Sequence, residues 1–197
     1  MTEFTPRQLI LASTSVYRRQ LLDRLRLPFT VIASDVDETA QPNEPPGQLA
    51  CRLALAKAQV VAAQHPDSLV IGSDQVADLN GEALGKPETH VRAVAQLQRM
   101  RGQTVIFQTA VAVVCQATRF AKTELAQVKV QFKHLTDAQI ERYLLVEQPY
   151  DCAGSAKSEG LGIALLARID SDDPTALVGL PLIRTCQLLE AAGLEVL

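Results

Sequence analysis

A short apolar run near the N-terminus breaks into hydroxyl residues and then into a helix that carries an arginine. Leu9 to Ala12 suit a buried strand, and Ser13 to Ser15 supply oxygens for the N-cap of the helix. Arg18 falls on the same helical stripe as the three leucines that follow it, where an amphipathic helix normally buries aliphatic side chains. The free N–H groups at a helix start and the donor fork of an arginine predict an anion site, with phosphate as its natural ligand. The alternative is an ordinary capped helix with a surface arginine.

Carboxylates follow two further apolar runs. Asp74 comes directly after the predicted strand 69–73, and the glycine and serine before it are small enough to let a ligand approach the backbone. Asp35, Asp37 and Glu38 follow another apolar run. Hard divalent cations prefer one or two carboxylates together with phosphate oxygens, so these residues predict a cation site. The alternatives are a turn capped by Asp74 and an acidic surface loop.

Two lysines lie where they could reach such a site. Lys57 follows Leu49 and Leu53 at four-residue spacing, which places it at the margin of the apolar face of a helix. It could reach inward, or its stem could cover the edge of the core with the ammonium in water. Lys86 lies between a glycine and a proline in a narrow loop that would aim its charge, although a lone loop lysine is more often solvated.

Several other kinds of site are excluded by the sequence. The three histidines, at positions 65, 90 and 134, are far apart and form no metal-ligand pattern. The four cysteines are scattered without a Cys-x-x-Cys pair, so neither a zinc site nor a disulfide framework is predicted. The chain contains neither a Walker A loop nor a Gly-x-Ser-x-Gly elbow. P-loop and serine-hydrolase mechanisms are therefore excluded.

Composition and charge restrict the class of partner. The chain has 197 residues, of which 47% are hydrophobic, ample for a core. Its formal net charge of -3 argues against a polynucleotide partner, since such proteins normally carry a basic face. No run approaches the roughly 18 apolar residues of a membrane span, and the start lacks the features of a signal peptide. We therefore expect a cytoplasmic protein with a small phosphate ligand, and neither a membrane nor a polynucleotide as partner.

Apolar periodicity predicts alternating strands and helices, an α/β fold, that would position these side chains. The predicted strands cover residues 8–12, 29–33, 69–73, 104–116, 122–132 and 163–169. The predicted helices cover residues 15–26, 47–64, 88–100 and 136–147, and a last helix follows Pro181. Asn80-Gly81 predicts a hairpin, and residues 34–46 predict a loop.

Six short motifs occur in one order along nearly the whole chain. They are Leu11-Ala12-Ser13-Thr14-Ser15 with Arg18, Asp35-Val36-Asp37-Glu38, Ala56-Lys57-Ala58, Gly72-Ser73-Asp74-Gln75, Leu84-Gly85-Lys86-Pro87 and Val178-Gly179-Leu180-Pro181. Together they closely resemble the Maf-like nucleotide pyrophosphatase family. The chain departs from many members at Val16, where they have proline, and this leaves the helix start less preorganised.

The resemblance implies a fold and a reaction. The expected fold is α/β with a long, curved mixed sheet flanked by helices, in one domain over residues 1–197. Two lobes would enclose a central nucleotide cleft, as in inosine triphosphatase-like folds. The expected reaction is hydrolysis of a nucleoside triphosphate between its α and β phosphorus atoms, with Mg, Mn or Co as the divalent cation. The expected partner is a small nucleotide, and a homodimer is left open as the assembly state.

The resemblance also implies roles for individual residues. Asp74 is the expected proton acceptor for the attacking water, and Glu38 and Asp74 are expected to hold the metal. Donor or positively charged groups would bind the phosphate chain and neutralise the leaving pyrophosphate. The groups expected in this role are Ser13, Arg18, Lys57 and Lys86.

At three further residues the chain resembles the branch of the family that acts on 7-methyl-GTP. Gln75 follows the aspartate where the branch acting on dTTP and UTP usually has threonine, and Tyr17 and Glu159 indicate the same branch. Because a 7-methylguanine ring is positively charged, Tyr17 could stack on it with a cation–π energy of roughly 0.5–2 kcal/mol. Glu159 could accept the N–H donors of the guanine edge, and Gln75 could offer a donor and an acceptor. The alternative leaves Tyr17 in the core and Glu159 on a surface loop.

Two other functions remain as alternatives. One is a pyrophosphatase for dTTP and UTP, and the other is a nucleotide-binding regulator of cell division without significant turnover. Carboxylates beside a phosphate site favour an enzyme, because a sensor has no need of a general base. The expected role is the removal of a non-standard nucleotide.

Overall fold

The computed structural model describes residues 7–197, in which a seven-stranded mixed sheet is flanked by five α-helices. The strands are β1 (Leu9–Leu11), β2 (Phe29–Val31), β3 (Leu69–Leu79), β4 (Glu82–Leu84), β5 (Thr104–Cys115), β6 (Phe120–Phe132) and β7 (Leu166–Asp170). The helices are α1 (Val16–Leu22), α2 (Pro46–Ala62), α3 (His90–Met100), α4 (Asp137–Glu147) and α5 (Leu182–Ala191). The predicted mixed α/β fold is confirmed. One domain over residues 1–197 stays a prediction, and residues 1–6 lie outside the described part.

The order of the strands brings the predicted site residues to one edge of the sheet. The order is β2-β1-β3-β5-β6-β7, and β4 pairs with the end of β3. β1 pairs in parallel with β2 and β3, whereas β3, β5, β6 and β7 pair antiparallel. Because Leu11 pairs with Ile71, the chain leaving β1 is level with the middle of β3. The loop that follows β2 meets them at the same edge, since the carboxyl ends of parallel strands lie together.

Apolar side chains on both faces of the sheet form the core. At one end of the long strands, Val70 packs with α2 and Ile71 packs with α1 and α5, because successive strand residues point to opposite faces. At the other end, α3 and α4 cover β3, β5 and β6 around Phe107 and Phe132. The two packed regions form two lobes that share β3 and β5. None of the helices in the described residues combines the length and the apolarity needed to cross a bilayer.

Strand β3 is longer than the sequence predicts. It continues past residue 73 to Leu79, so that Asp74 lies within the strand, opposite Ala110 of β5. The strand continues because Asn80 and Gly81, both with positive φ, fold β4 back on it as the predicted hairpin. The prediction that Asp74 follows the end of a strand was therefore wrong, and so was the alternative in which Asp74 caps a turn.

The first helix and the last strand are shorter than predicted. α1 ends at Leu22 and a 3-10 turn covers Asp23–Leu25, and the chain leaves helical geometry at Arg26, whose φ of 55° is left-handed. Leu161–Leu165 form another 3-10 turn, so β7 begins only at Leu166. Gly162 in that turn packs so closely on the preceding loop that a Cβ on it would lie 2.7 Å from the Lys157 backbone nitrogen.

Candidate active site

A cleft opens where the parallel strands end, and it has two connected chambers. The first chamber has a volume of about 600 Å³ and the second about 710 Å³. Arg18, Gln75 and Lys86 line both chambers, so the two are parts of one cleft. The other predicted residues divide between them: Ser13, Glu38, Lys57 and Asp74 line the first chamber, and Tyr17 and Glu159 line the second. The structure therefore brings all nine predicted site residues to one cleft.

Lys57 connects the two acidic side chains of the first chamber. Its Nζ lies 2.7 Å from Asp74 Oδ1 and 2.6 Å from Glu38 Oε1. The Lys57 and Asp74 side chains are 7% and 10% exposed, whereas the Glu38 side chain is 55% exposed. Partial burial raises the pKa of Glu38, but the hydrogen bond and charge of Lys57, helped by Lys86 and Arg18, outweigh it and lower that pKa. Of the two orientations that the sequence allows for Lys57, the structure shows the inward one.

A glycine in β3 brings Lys57 within reach of Asp74. α2 packs so closely on the strand that a Cβ at Gly72 would clash with the Ala54 carbonyl oxygen and lie 2.6 Å from the Ala58 amide nitrogen. These two alanines lie either side of Lys57 on the helix, so their contact with β3 sets how far the lysine reaches. The prediction that Gly72 opens the backbone to a ligand was wrong, because α2 fills that space.

One carboxylate oxygen of Asp74 is left for a ligand. Lys57 holds Oδ1, and Oδ2 has no hydrogen-bond partner among residues 7–197. Every buried side-chain polar atom in that part of the chain has a partner. Oδ2 must therefore be open to the cleft, where its two lone-pair sites can accept a proton and bind a cation.

The hydroxyl-rich turn after β1 orients Arg18. Ser15 caps α1 by accepting a hydrogen bond from the Arg18 backbone N–H. The Arg18 Nε donates to the Gly179 carbonyl at 2.9 Å, and its Nη1 donates to Ser13 Oγ at 3.3 Å. Burial lowers the pKa of the guanidinium, and the carboxylates of the first chamber oppose that shift, so Arg18 stays charged. Because Ser13 Oγ accepts in this contact, its own hydrogen is available for an anion.

The carbonyl of Gly179 is a site group whose role the sequence did not predict. It accepts hydrogen bonds from Arg18 and from Ser73 Oγ, which lies 3.0 Å away. The same hydroxyl lies 2.8 Å from the Ala110 carbonyl. Gly179 has a φ of 125°, a conformation that favours glycine. Glycine in the Val178–Pro181 motif was the available signal, because it marks a backbone position with special geometry.

An unpredicted ion pair fixes the loop that carries Glu38. Arg52 of α2 bonds Glu44 through Nε at 2.6 Å and Nη2 at 2.8 Å, and Nη2 also donates to the Thr39 carbonyl at 3.0 Å. The hydrogen bond from Arg52 is the main cause that lowers the pKa of Glu44 to about 2. Asp37 accepts a hydrogen bond from the Thr39 N–H at 2.9 Å, so it shapes this loop. No helical spacing links Arg52 to Glu44, which explains why the pattern of the sequence did not reveal the pair.

Tyr17 lies in the second chamber rather than in the core. It is half-buried, and the Lys157 ammonium lies 5.6 Å from the centroid of its ring. Burial, followed by the nearby Cys152 and Asp151, raises the pKa of the phenol. Glu159 is exposed on a turn beside the same chamber. The alternative is therefore wrong for Tyr17, whereas Glu159 does lie on an exposed turn, as that alternative has it. Lys157 shows that the face of the Tyr17 ring accepts a cation.

Gln75 faces both chambers but has already used its donors. Its Nε2 lies 3.0 Å from Thr109 Oγ1 and from the carbonyl oxygens of Ala176 and Leu177. Its Oε1 has no partner among the described residues, so by the same reasoning as for Asp74 it is open to the cleft. The prediction that Gln75 offers a donor to a base was wrong, and the acceptor remains.

The mixed sheet and a cleft lined by both cationic and acidic groups define an α/β protein suited to a multiply charged anion. The sequence comparison is more specific, because the Maf-like protein family matches residues 8–192. The chain belongs to that family.

Relatives of this chain agree closely in sequence and length. It is 69% identical over 197 residues to a 7-methyl-GTP pyrophosphatase of Albidiferax ferrireducens, covering 100% of this chain and 99% of that protein. It is 69% identical over 189 residues to a 7-methyl-GTP pyrophosphatase of Polaromonas sp., covering 96% and 86%. A 7-methyl-GTP pyrophosphatase of Bordetella pertussis is 56% identical over 192 residues, covering 96% and 94%. Among solved structures, a HAM1 protein from Coxiella burnetii is 14% identical with a TM-score of 0.47, covering 66% of this chain and 75% of that one.

Proposed function

We propose that this chain hydrolyses 7-methyl-GTP between its α and β phosphorus atoms, to give 7-methyl-GMP and pyrophosphate. The observation that carries the proposal is the pair of connected chambers, one with Lys57 between two carboxylates and one with Tyr17 beside Glu159. The first suits a triphosphate and the second suits a cationic base. The names of the relatives that are 69% identical support the same substrate.

In the proposed reaction, Asp74 Oδ2 takes a proton from the attacking water. The water oxygen forms a bond to the α phosphorus, and the bond from that phosphorus to the bridging oxygen breaks. Lys57 bonds the carboxylate through Oδ1, which leaves Oδ2 free to accept that proton. Arg18, Lys57 and Lys86 neutralise the charge that builds on the leaving pyrophosphate, and the free hydroxyl hydrogen of Ser13 binds the phosphate chain.

Glu38 and Asp74 would hold the divalent cation, with Mg, Mn and Co as candidates. Both carboxylates contact one ammonium nitrogen, so they lie close enough to share one ion. Within residues 7–197, no group of three or more His, Cys, Asp or Glu residues is placed to hold a metal. Two carboxylates fit a cation that takes the rest of its ligands from phosphate oxygens and water. When bound, such a cation supplies positive charge to the phosphate that is attacked.

The second chamber would select the base. Tyr17 offers a π face to a cationic ring, and Glu159 offers a carboxylate to the N–H groups of the guanine edge. Gln75 adds its free carbonyl oxygen as an acceptor. A neutral pyrimidine gains less from the charge of Glu159 and from the cation–π contact, which favours 7-methyl-GTP over dTTP and UTP.

Two further properties belong to the proposal. We place the reaction in the cytoplasm, because all four cysteines are free thiols and disulfides are rare in reducing compartments. A homodimer stays a prediction that a measurement of molar mass in solution decides.

Replacement of the proposed base tests the reaction. Asp74→Asn keeps the size of the side chain but removes the proton acceptor, so kcat should fall by about 10²–10⁴-fold. Pyrophosphate release from 7-methyl-GTP measures it, with circular dichroism as the control for folding. Near wild-type kcat in the variant would contradict the role of Asp74. Nucleotide binding by the wild type without any release of pyrophosphate would instead indicate a regulator.

A further inference from the structure

A single carboxylate at the end of α4 holds both ends of the turn that carries Glu159. Glu147 Oε1 lies 3.0 Å from Lys157 Nζ, and Glu147 Oε2 accepts a hydrogen bond of 2.7 Å from the Leu161 backbone N–H. The Gly160 N–H closes the turn by donating to the Lys157 carbonyl at 3.1 Å. A Cβ at Gly160 would lie 2.7 Å from Glu147 Oε1, so the turn packs tightly on this carboxylate.

The same carboxylate balances the charge beside Tyr17. The ammonium over the Tyr17 ring belongs to Lys157, and that ammonium is paired with Glu147. Hydrogen bonds from the Leu161 N–H and from Lys157 lower the pKa of Glu147, so it is ionised at neutral pH. Lys157 therefore adds little net positive charge to the chamber, and the charge of Glu159 remains available to a ligand.

We propose that Glu147 is a positioning residue for the choice of base, which holds Glu159 at the second chamber and neutralises Lys157 beside Tyr17. The inference rests on the proposed function, because it takes the base of the substrate to occupy this chamber. The charge of Glu147 affects the binding of a cationic base more than the binding of a neutral one. Without its charge, the Lys157 ammonium repels 7-methylguanine but has little effect on guanine.

Two variants of Glu147 separate its charge from its hydrogen bond. Glu147→Gln keeps an oxygen for the Leu161 N–H but removes the charge, whereas Glu147→Ala removes both. The readout is the ratio of kcat/KM for 7-methyl-GTP to kcat/KM for GTP. We expect Glu147→Gln to lower this ratio roughly tenfold, the effect of one charge-assisted interaction, and Glu147→Ala to lower it further. The change should lie in KM for 7-methyl-GTP, because the reacting phosphate is in the other chamber.

Glu141→Gln is the matched control. Glu141 lies on the same helix and contacts His90 at 3.0 Å outside both chambers, so this variant should keep the wild-type ratio. A merely structural role of Glu147 would lower the rates for both substrates by one factor and leave the ratio unchanged. That result in Glu147→Gln, which retains the hydrogen bond to the turn, would overturn the inference. If the proposed function itself is wrong, the result is different: the wild-type enzyme then shows no preference for 7-methyl-GTP over GTP.

Discussion

Replacement of Lys57 by methionine is the most informative perturbation of the first chamber. Methionine is about as long as the aliphatic stem of lysine but lacks the ammonium, so it leaves Asp74 and Glu38 without a shared cation. Breaking a buried ion pair costs about 3–5 kcal/mol, because the remaining charge is poorly solvated. The Asp74 side chain is 10% exposed, but the Glu38 side chain is 55% exposed and can be solvated by water. We therefore expect the low end, about 3 kcal/mol.

Thermal unfolding at neutral pH without divalent cations measures this cost. For a chain of this size, about 3 kcal/mol corresponds to a decrease in Tm of roughly 6–12 °C. Lys129→Met is the control, because Lys129 is exposed and its loss should leave Tm nearly unchanged. Addition of Mg²⁺ should raise the Tm of Lys57→Met more than that of the wild type, since without the Lys57 ammonium the ion meets less positive charge at the two carboxylates and binds more tightly.

Two outcomes would refute this reasoning. A Tm for Lys57→Met within about 2 °C of the wild type would show that the lysine adds little to the free energy of unfolding. The other outcome is that Mg²⁺ raises the Tm of Lys57→Met no more than the Tm of the wild type. Glu38 and Asp74 would then form ion pairs with Lys57 without forming the proposed cation site.

Two other predictions concern the supports of the site. Glu44→Gln should lower Tm at neutral pH. The pKa of Glu44 is lowered from 4.5 to about 2, so its contribution is present above pH 4.5 and is lost as the pH falls toward 2. The difference in Tm from the wild type should therefore shrink below about pH 4.5 in a thermal series, and a pH-independent difference would contradict it. Gly72→Ala should destabilise the fold by about 1–3 kcal/mol in urea unfolding, because α2 leaves no space for a Cβ. Gly85→Ala is its control, because a Cβ at Gly85 meets open space. Equal free energies of unfolding for the two variants would exclude the tight contact between α2 and Gly72.

Short motifs and apolar periodicity predict much of this molecule. Arg18 on an apolar stripe and Lys57 at the margin of another both indicated side chains directed to a site, and both line the cleft. The hairpin at Asn80–Gly81 followed from local turn chemistry. These features depend on residues close together in the chain, where spacing is informative.

The remaining features depend on packing between distant segments. The place of Asp74 within β3 follows from pairing with β5, and its contact with Lys57 follows from the approach of α2 at Gly72. Likewise, the pair of Glu147 and Lys157 joins the end of a helix to an irregular turn. Periodicity carries no signal for such contacts, since the conformation of the intervening loop sets them.

A panel of nucleotides assayed side by side tests the central claim most directly. Wild-type protein with Mg²⁺, Mn²⁺ or Co²⁺ is incubated with 7-methyl-GTP, GTP, dTTP and UTP, and the products are separated and identified. We expect the highest kcat/KM for 7-methyl-GTP, with 7-methyl-GMP and pyrophosphate as the only products. Preferred turnover of dTTP or UTP, or release of 7-methyl-GDP and phosphate, would contradict the account.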